Sequence, residues 1–160
     1  MLKFPTIATA IFFIGVPIQT KHNINYNIYS AKEQFCLAET IYHESKGESQ
    51  IGKLATGLVV LQRDKSRKFP NDVCKVTKQK HQFSWFWDGK PDIIKKKSKA
   101  WKESLQVAKH LSDNFNKPSF INFLKEATYF HATYVKPTWA KKFIKIARID
   151  KHIFYKEKES

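Results

Sequence analysis

The hydrophobic period of this chain changes once along its length, and that change limits the fold more than any other feature. As far as Leu111 apolar residues recur mostly at helical spacing, whereas from Ala127 to Tyr155 aromatic and β-branched residues alternate around Pro137. Phe35, Ala38, Ile41 and Tyr42 form a first helical stripe that ends near Gly47, with Ser30 and Glu33 spaced as a capping box at its start. A second stripe begins at about Ser49 and carries Ile51, Leu54, Ala55, Leu58 and Val59, with Lys53, Arg63 and Asp64 off it. It dies in the basic run at 65–68. Phe69-Pro70-Asn71-Asp72 then opens a short turn or helix bearing Val73, Cys74 and Val76. Gln82-Phe83-Ser84-Trp85-Phe86-Trp87 is aromatic without helical spacing, so a core strand is one reading of it. Asp88-Gly89 is a turn signal, 95–99 a lysine-rich loop, and Trp101, Leu105, Ala108 and Leu111 mark a third amphipathic helix that stops before Pro118. A helical half followed by a β-leaning half predicts an α+β domain in two lobes.

Ahead of that domain, Phe4 to Ile18 carries no charge and follows Lys3. It is shorter than the roughly 20 residues that span a bilayer, and its length suits the apolar region of a signal peptide. A buried N-terminal helix is the alternative. The chain therefore divides into a signal-like or signal-anchor segment at 1–20, an Asn-rich linker at 21–30, a folded domain at 31–156 and a charged, frayed tail at 157–160. Lys and Arg number 29 against 14 Asp and Glu, a net charge of +15. A field of that size favours polyanionic partners, whether nucleic acid, anionic membrane or bacterial wall polymer. Two cysteines, Cys36 and Cys74, form no C-x-x-C pair, which argues against a thiolate zinc site. They fit either one disulfide in an exported protein or two buried thiols.

The chemistry concentrates in Ile41-Tyr42-His43-Glu44-Ser45-Lys46-Gly47-Glu48, at the joint of the first two helices. A carboxyl at the C-terminal end of an aromatic-rich helix faces the negative end of the dipole and apolar neighbours. Both raise its pKa, as a general acid working near neutral pH requires. Glu48 would share the face of Glu44 if the helix continued, but Gly47 opposes that, and two surface carboxylates at a helix end remain the plain alternative. His43-Glu44 is not a zinc-protease motif, because H-E-x-x-H needs histidine where Gly47 stands. The remaining histidines show no ligand spacing, and neither a G-x-S-x-G elbow nor a phosphate-binding glycine loop occurs. No metal or cofactor is expected. Gln82 and Ser84 among Phe83, Trp85 and their aromatic neighbours suit sugar, since rings stack on pyranose C–H faces while amide and hydroxyl meet hydroxyls.

From Phe35 to Tyr155 the chain resembles the cell-wall hydrolase family of SleB type, which includes spore-cortex-lytic enzymes and phage and bacterial wall lysins. Five ordered blocks carry the resemblance. Cys36-Leu37-Ala38 leads into Ile41-Tyr42-x-Glu44-x-x-Gly47-Glu48; Gly52, Ala55, Val59-Val60-Leu61 and Arg63 precede Phe69-Pro70 and Val73-Cys74. Gln82-Phe83-Ser84-Trp85 and Trp101 come next. Ala127-Thr128-Tyr129-x-His131-Ala132-x-Tyr134-Val135-x-Pro137-x-Trp139-Ala140 and Ile149-x-x-His152-x-Phe154-Tyr155 close the domain. Four positions depart from the family pattern: Ser45 for Ala, Lys46 for Arg, Gln62 for Asn and Asp150 for Gly.

The resemblance implies a lysozyme-like fold related to lytic transglycosylases, acting on peptidoglycan glycan strands with one catalytic glutamate at the position of Glu44. It implies groove residues at Tyr42, Glu48, Gln82, Phe83, Ser84, Trp85, Tyr129, His131 and Trp139, and a Cys36–Cys74 disulfide. Glu44 would protonate the glycosidic oxygen between N-acetylmuramic acid and N-acetylglucosamine and then take the proton of the muramic 6-hydroxyl as that oxygen closes a 1,6-anhydro ring. A two-carboxylate hydrolase is the alternative, its partner roughly 5 to 9 Å away, with Glu48 and Asp88 as candidates. A non-catalytic wall-binding module and a nucleic-acid-binding domain are the other readings, the last without any motif to support it. An exported monomer or phage lysin is expected, held on anionic wall polymers by charge and touching the membrane transiently through residues 4–18.

Overall fold

A computed structural model describes residues 29–80, 82–89 and 91–158; the apolar segment and nearly all of the linker lie outside them. Polar caps set the helix starts. Ser30 and Glu33 close a reciprocal capping box on α1 (Ala31–Ser45), while Ser49 caps α2 (Gln50–Lys65) through the Gly52 N–H. Asp72 opens α3 (Val73–Thr77), and Ser98 opens α5 (Lys99–Asn114). The segment at 82–87 is no strand. Its aromatic run winds into a one-turn helix α4 (Ser84–Trp87), which pairs its own backbone groups and lets Phe83 and Trp85 bury against Phe130 and His43.

α2 is the central helix, contacting α1, α3, α5 and the sheet. Lys53, Arg63 and Asp64, off its apolar stripe by spacing, are therefore buried too, with Arg63 only 3% exposed. Each finds a partner: the Lys53 ammonium donates to the Glu48 carbonyl and pairs with Glu103, Asp64 accepts from the buried Tyr29 hydroxyl, and Arg63 Nε donates to the Thr128 carbonyl at 2.7 Å. Conversely, Phe35, Ile51 and Leu105 sit at the edges of their stripes and are 43%, 57% and 40% exposed. Leu37, Ile41, Leu58, Leu61 and Leu111 fill the helical core, and Gly57 lets α1 and α5 close on α2, since an added Cβ would strike Leu111. A Cys36–Cys74 disulfide ties α1 to α3.

The second lobe is a three-stranded antiparallel sheet of order β1-β3-β2, with β1 at Tyr129–Ala132, β2 at Ile144–Ile149 and β3 at His152–Lys156. Pairing sets Tyr129 against Tyr155 and Ala132 against His152. A 3-10 turn at Thr138–Lys142 carries Trp139 back over the sheet. At the β2–β3 hairpin, Asp150 occupies left-handed backbone (φ 48°), a conformation aspartate tolerates better than most residues. Its carboxylate accepts from the Ser49 N–H at 2.8 Å and the Ser49 hydroxyl at 2.6 Å, and Glu48 in turn accepts from the Lys151 N–H at 3.0 Å. The departure from glycine thus supplies a clamp between the hairpin tip and the α1–α2 joint. Gln62, the departure next to Arg63, donates to the Ala127 carbonyl and accepts from Asn122. The expected fraying of the tail does not extend to Glu157, which Lys68 and the Tyr129 hydroxyl hold.

Candidate active site

A cleft of about 1040 Å³ runs between the helical lobe and the sheet. α1 contributes His43 and Glu44 to it, α2 contributes Arg63, and the α4 segment Gln82, Phe83, Trp85 and Asp88. The opposite wall comes from the sheet and the chain that follows β1, through Tyr129, His131, Trp139, Phe143 and His152. Glu44 is the penultimate residue of α1, so the helix end aims it into the cleft. It keeps a window onto the cleft while protein surrounds most of its carboxyl. Burial pushes it up to about 7, against an opposing pull from the positive Arg63. A carboxyl so placed keeps a large protonated fraction at neutral pH, as a proton donor requires.

Arg63 is held by rings. Its guanidinium lies 5.2 Å from the Phe69 and Phe83 centroids and 5.8 Å from that of Tyr129. Across the cleft, His131 stacks on Tyr155 (5.3 Å, 22°) and meets Trp139 edge-on. Because the Ala132 carbonyl only accepts, Nδ1 of His131 carries the hydrogen at 2.9 Å from it, and Nε2 shares a hydrogen bond with the Tyr155 hydroxyl, also at 2.9 Å. His131 is therefore oriented from two sides.

The expected groove residues divide. Gln82, Tyr129, His131 and Trp139 line the cleft with partly accessible side chains. Phe83 and Trp85 line it too, but as buried wall rather than as platforms: Phe83 packs on Arg63 and Phe130, and one face of Trp85 is taken by His43, stacked at 4.5 Å and 15°. Ser84 sits between them on the backbone of α4. Two residues point elsewhere. Tyr42 is buried against Trp101 of α5, its hydroxyl accepting from the Lys95 N–H, because it faces the opposite side of α1 from Glu44. Glu48 lies past the end of α1 and turns to the hairpin, so its charge does not share the face of Glu44. Lys46, the departure beside it, lies over the Tyr42 ring at 5.3 Å.

Sequence reasoning passed over Arg63, His43, His152 and Phe143 as site residues. Arg63 had a signal: a permanent charge in the same family block as Val59-Val60-Leu61. The histidines had none. Burial lowers the pKa of both His43 and His152, so each tends to be a neutral ring in the wall. Among the described residues, no cluster of three or more His, Cys, Asp or Glu is arranged to hold a metal ion, and no helix is long and apolar enough to cross a membrane.

A helical lobe, a small antiparallel sheet and one half-enclosed carboxyl at the head of an aromatic cleft define a lysozyme-like catalytic domain. A family model described as Cell Wall Hydrolase matches residues 47–155, and the chain belongs to that family. The matched stretch starts just after Glu44, so the place of that carboxyl rests on the cleft geometry. A spore cortex-lytic enzyme from Bacillus cereus is 36% identical over 73 residues, 46% of this chain and 28% of its own length. The chain thus spans under a third of that curated relative. Among solved structures, the catalytic domain of the germination-specific lytic transglycosylase SleB from Bacillus anthracis aligns with a TM-score of 0.63 at 27% identity, covering 81% of this chain and 98% of that one. The catalytic domain of the Bacillus cereus SleB protein aligns with a TM-score of 0.59 at 26% identity, covering 85% and 99%.

Proposed function

We propose that this chain degrades peptidoglycan as a lytic transglycosylase, cleaving between N-acetylmuramic acid and N-acetylglucosamine with Glu44 as acid and then base. The observation that carries this reading is a single half-enclosed carboxyl, raised to about 7, in a cleft walled by aromatic rings. Protonated Glu44 gives its proton to the glycosidic oxygen as the bond to the anomeric carbon breaks. The resulting carboxylate takes the proton of the muramic 6-hydroxyl, whose oxygen bonds to the same carbon and leaves a 1,6-anhydro end. No second carboxylate is needed. The likeness to a lytic transglycosylase domain over 98% of that domain's length supports the same reading. Tyr129, His131, Gln82 and Trp139 would meet the sugar rings.

Residues 1–20 are proposed to export the domain or tether it, with 21–30 as a linker and 31–156 as the catalytic unit. A disulfide tying α1 to α3 fits an oxidising compartment, and a net charge of +15 favours retention on the anionic wall. The protein would work there as a monomer without a cofactor.

Mass spectrometry of the soluble products from purified peptidoglycan tests the reaction. Disaccharide-peptides ending in 1,6-anhydromuramic acid are expected. Reducing ends one water heavier would instead make the enzyme a hydrolase and turn attention to Asp88, the other carboxylate among the described residues lining the cleft. Alanine at His131 or Gln82 is expected to lower turnover by up to about 10²-fold through misplacement of the glycan, less than any loss of the acid itself. Initial rates on the same substrate give the comparison.

A further inference from the structure

Arg63 is the one lysine or arginine among the described residues lining the cleft, and its environment is unusual. The side chain is 3% exposed, its Nε is committed to the Thr128 carbonyl, and three rings surround the guanidinium. Nη1 is buried and has no hydrogen-bond partner. A buried cation normally needs an opposite charge or a full set of acceptors, since the desolvation penalty is several kcal/mol. The rings compensate only in part.

The other titratable groups lining the cleft are His43 on α1, Asp88 after α4, Tyr129 and His131 on β1, Tyr134 just after it, and His152 on β3. None of them is a permanent cation. We infer that Arg63 is a positioning residue for the reaction: its caged guanidinium is the counter-charge that forms an ion pair with Glu44 once that carboxyl has given its proton to the leaving oxygen. This rests on Glu44 being the acid. Burial alone would make Glu44 a reluctant donor, since the carboxylate left behind would be stranded in a low-dielectric site. A fixed positive charge nearby lowers the cost of that intermediate state and leaves a base that accepts the 6-hydroxyl proton. In the protonated ground state the pair is unmade, so its attraction is strongest where charge develops. Burial and the Glu44 charge act oppositely on Arg63 itself, burial pulling its guanidinium down to about 10.

The test uses the full chain with ¹³C-labelled glutamate carboxyls, Glu44→Gln supplying the assignment. Arg63→Met keeps the packing against the three rings without charge; Arg63→Gln keeps a donor for Thr128 without charge; Arg63→Lys restores a cation. In whichever neutral variant folds, the Glu44 titration and the alkaline limb of the pH–rate profile are expected to rise together by about 1 pH unit or more. Turnover on peptidoglycan should fall ~10- to 100-fold at KM within about twofold. Arg63→Lys should hold the titration within about half a unit of the parent. A Glu44 titration unmoved in a folded neutral variant overturns the pairing, as does a raised KM at unchanged kcat, which would make Arg63 a substrate contact. A titration that moves while digestion does not would overturn the assignment of Glu44 as the acid, and this role with it.

Discussion

Glu44→Gln is expected to lower turnover on peptidoglycan by about 10³-fold or more and, at neutral pH, to yield a more stable protein than the parent. The amide keeps the size and the polar character of the carboxyl but cannot donate the proton that departs with the leaving oxygen, nor accept one afterwards. Stability moves the other way because burial opposes ionisation. Moving a glutamate from its ordinary value to about 7 costs the ionised folded state about 3 kcal/mol, at 1.36 kcal/mol per pH unit. Between the ordinary glutamate pKa and that raised value, the folded chain binds more protons than the unfolded one. The contribution of Glu44 to stability therefore declines as pH rises through that window and is flat above it. Glutamine, which does not titrate, escapes the loss. Paired urea melts at pH 5 and pH 8 read this directly: the advantage of the variant should be small at pH 5 and largest at pH 8. Equal melts at both values would place the carboxyl in water and remove the basis for its acid role.

Replacing both Cys36 and Cys74 by serine is expected to cost about 4 kcal/mol of stability, the closure entropy of a loop with sequence separation 38. For a domain of this size that is roughly 10–15 °C in Tm. The loop matters for function because it contains the end of α1 with Glu44, all of α2 with Arg63, and the start of α3. Neither sulfur lines the cleft, so the doubly substituted protein should turn over normally at temperatures where it remains folded. Thermal melts with and without reductant, beside rates at 20 °C, separate the two effects. A Tm that ignores reductant would mean that the α1–α3 packing alone holds the helices, and a rate loss well below Tm would tie the disulfide to the geometry of Glu44.

Local rules were readable without tertiary information. Ser30, Ser49 and Asp72 start their helices where polar N-caps precede apolar stripes, and Gly47 and Pro118 lie just beyond the ends of α1 and α5. These are interactions among residues a few positions apart, which the order of residue types states outright. What failed was everything that depends on how far an element sits from the surface. Lys53, Arg63 and Asp64 looked like the solvent side of α2, yet helices and sheet enclose that side as well. Trp85 looked like a sugar platform, yet His43 occupies one of its faces.

By itself the sequence determined the helical half, the β-leaning half, the joint at which an acid could stand and the family blocks that name the chemistry. Only the tertiary structure separates the surroundings of the two carboxyls at that joint. Glu44 and Glu48 are equivalent in charge and lie four residues apart, and their environments diverge because α1 stops at Ser45 and the hairpin from the far end of the chain captures Glu48 through Lys151. A pKa is set by the solvent and charge that long-range folding brings within a few ångströms. The spacing of residues along a chain carries no record of that distance.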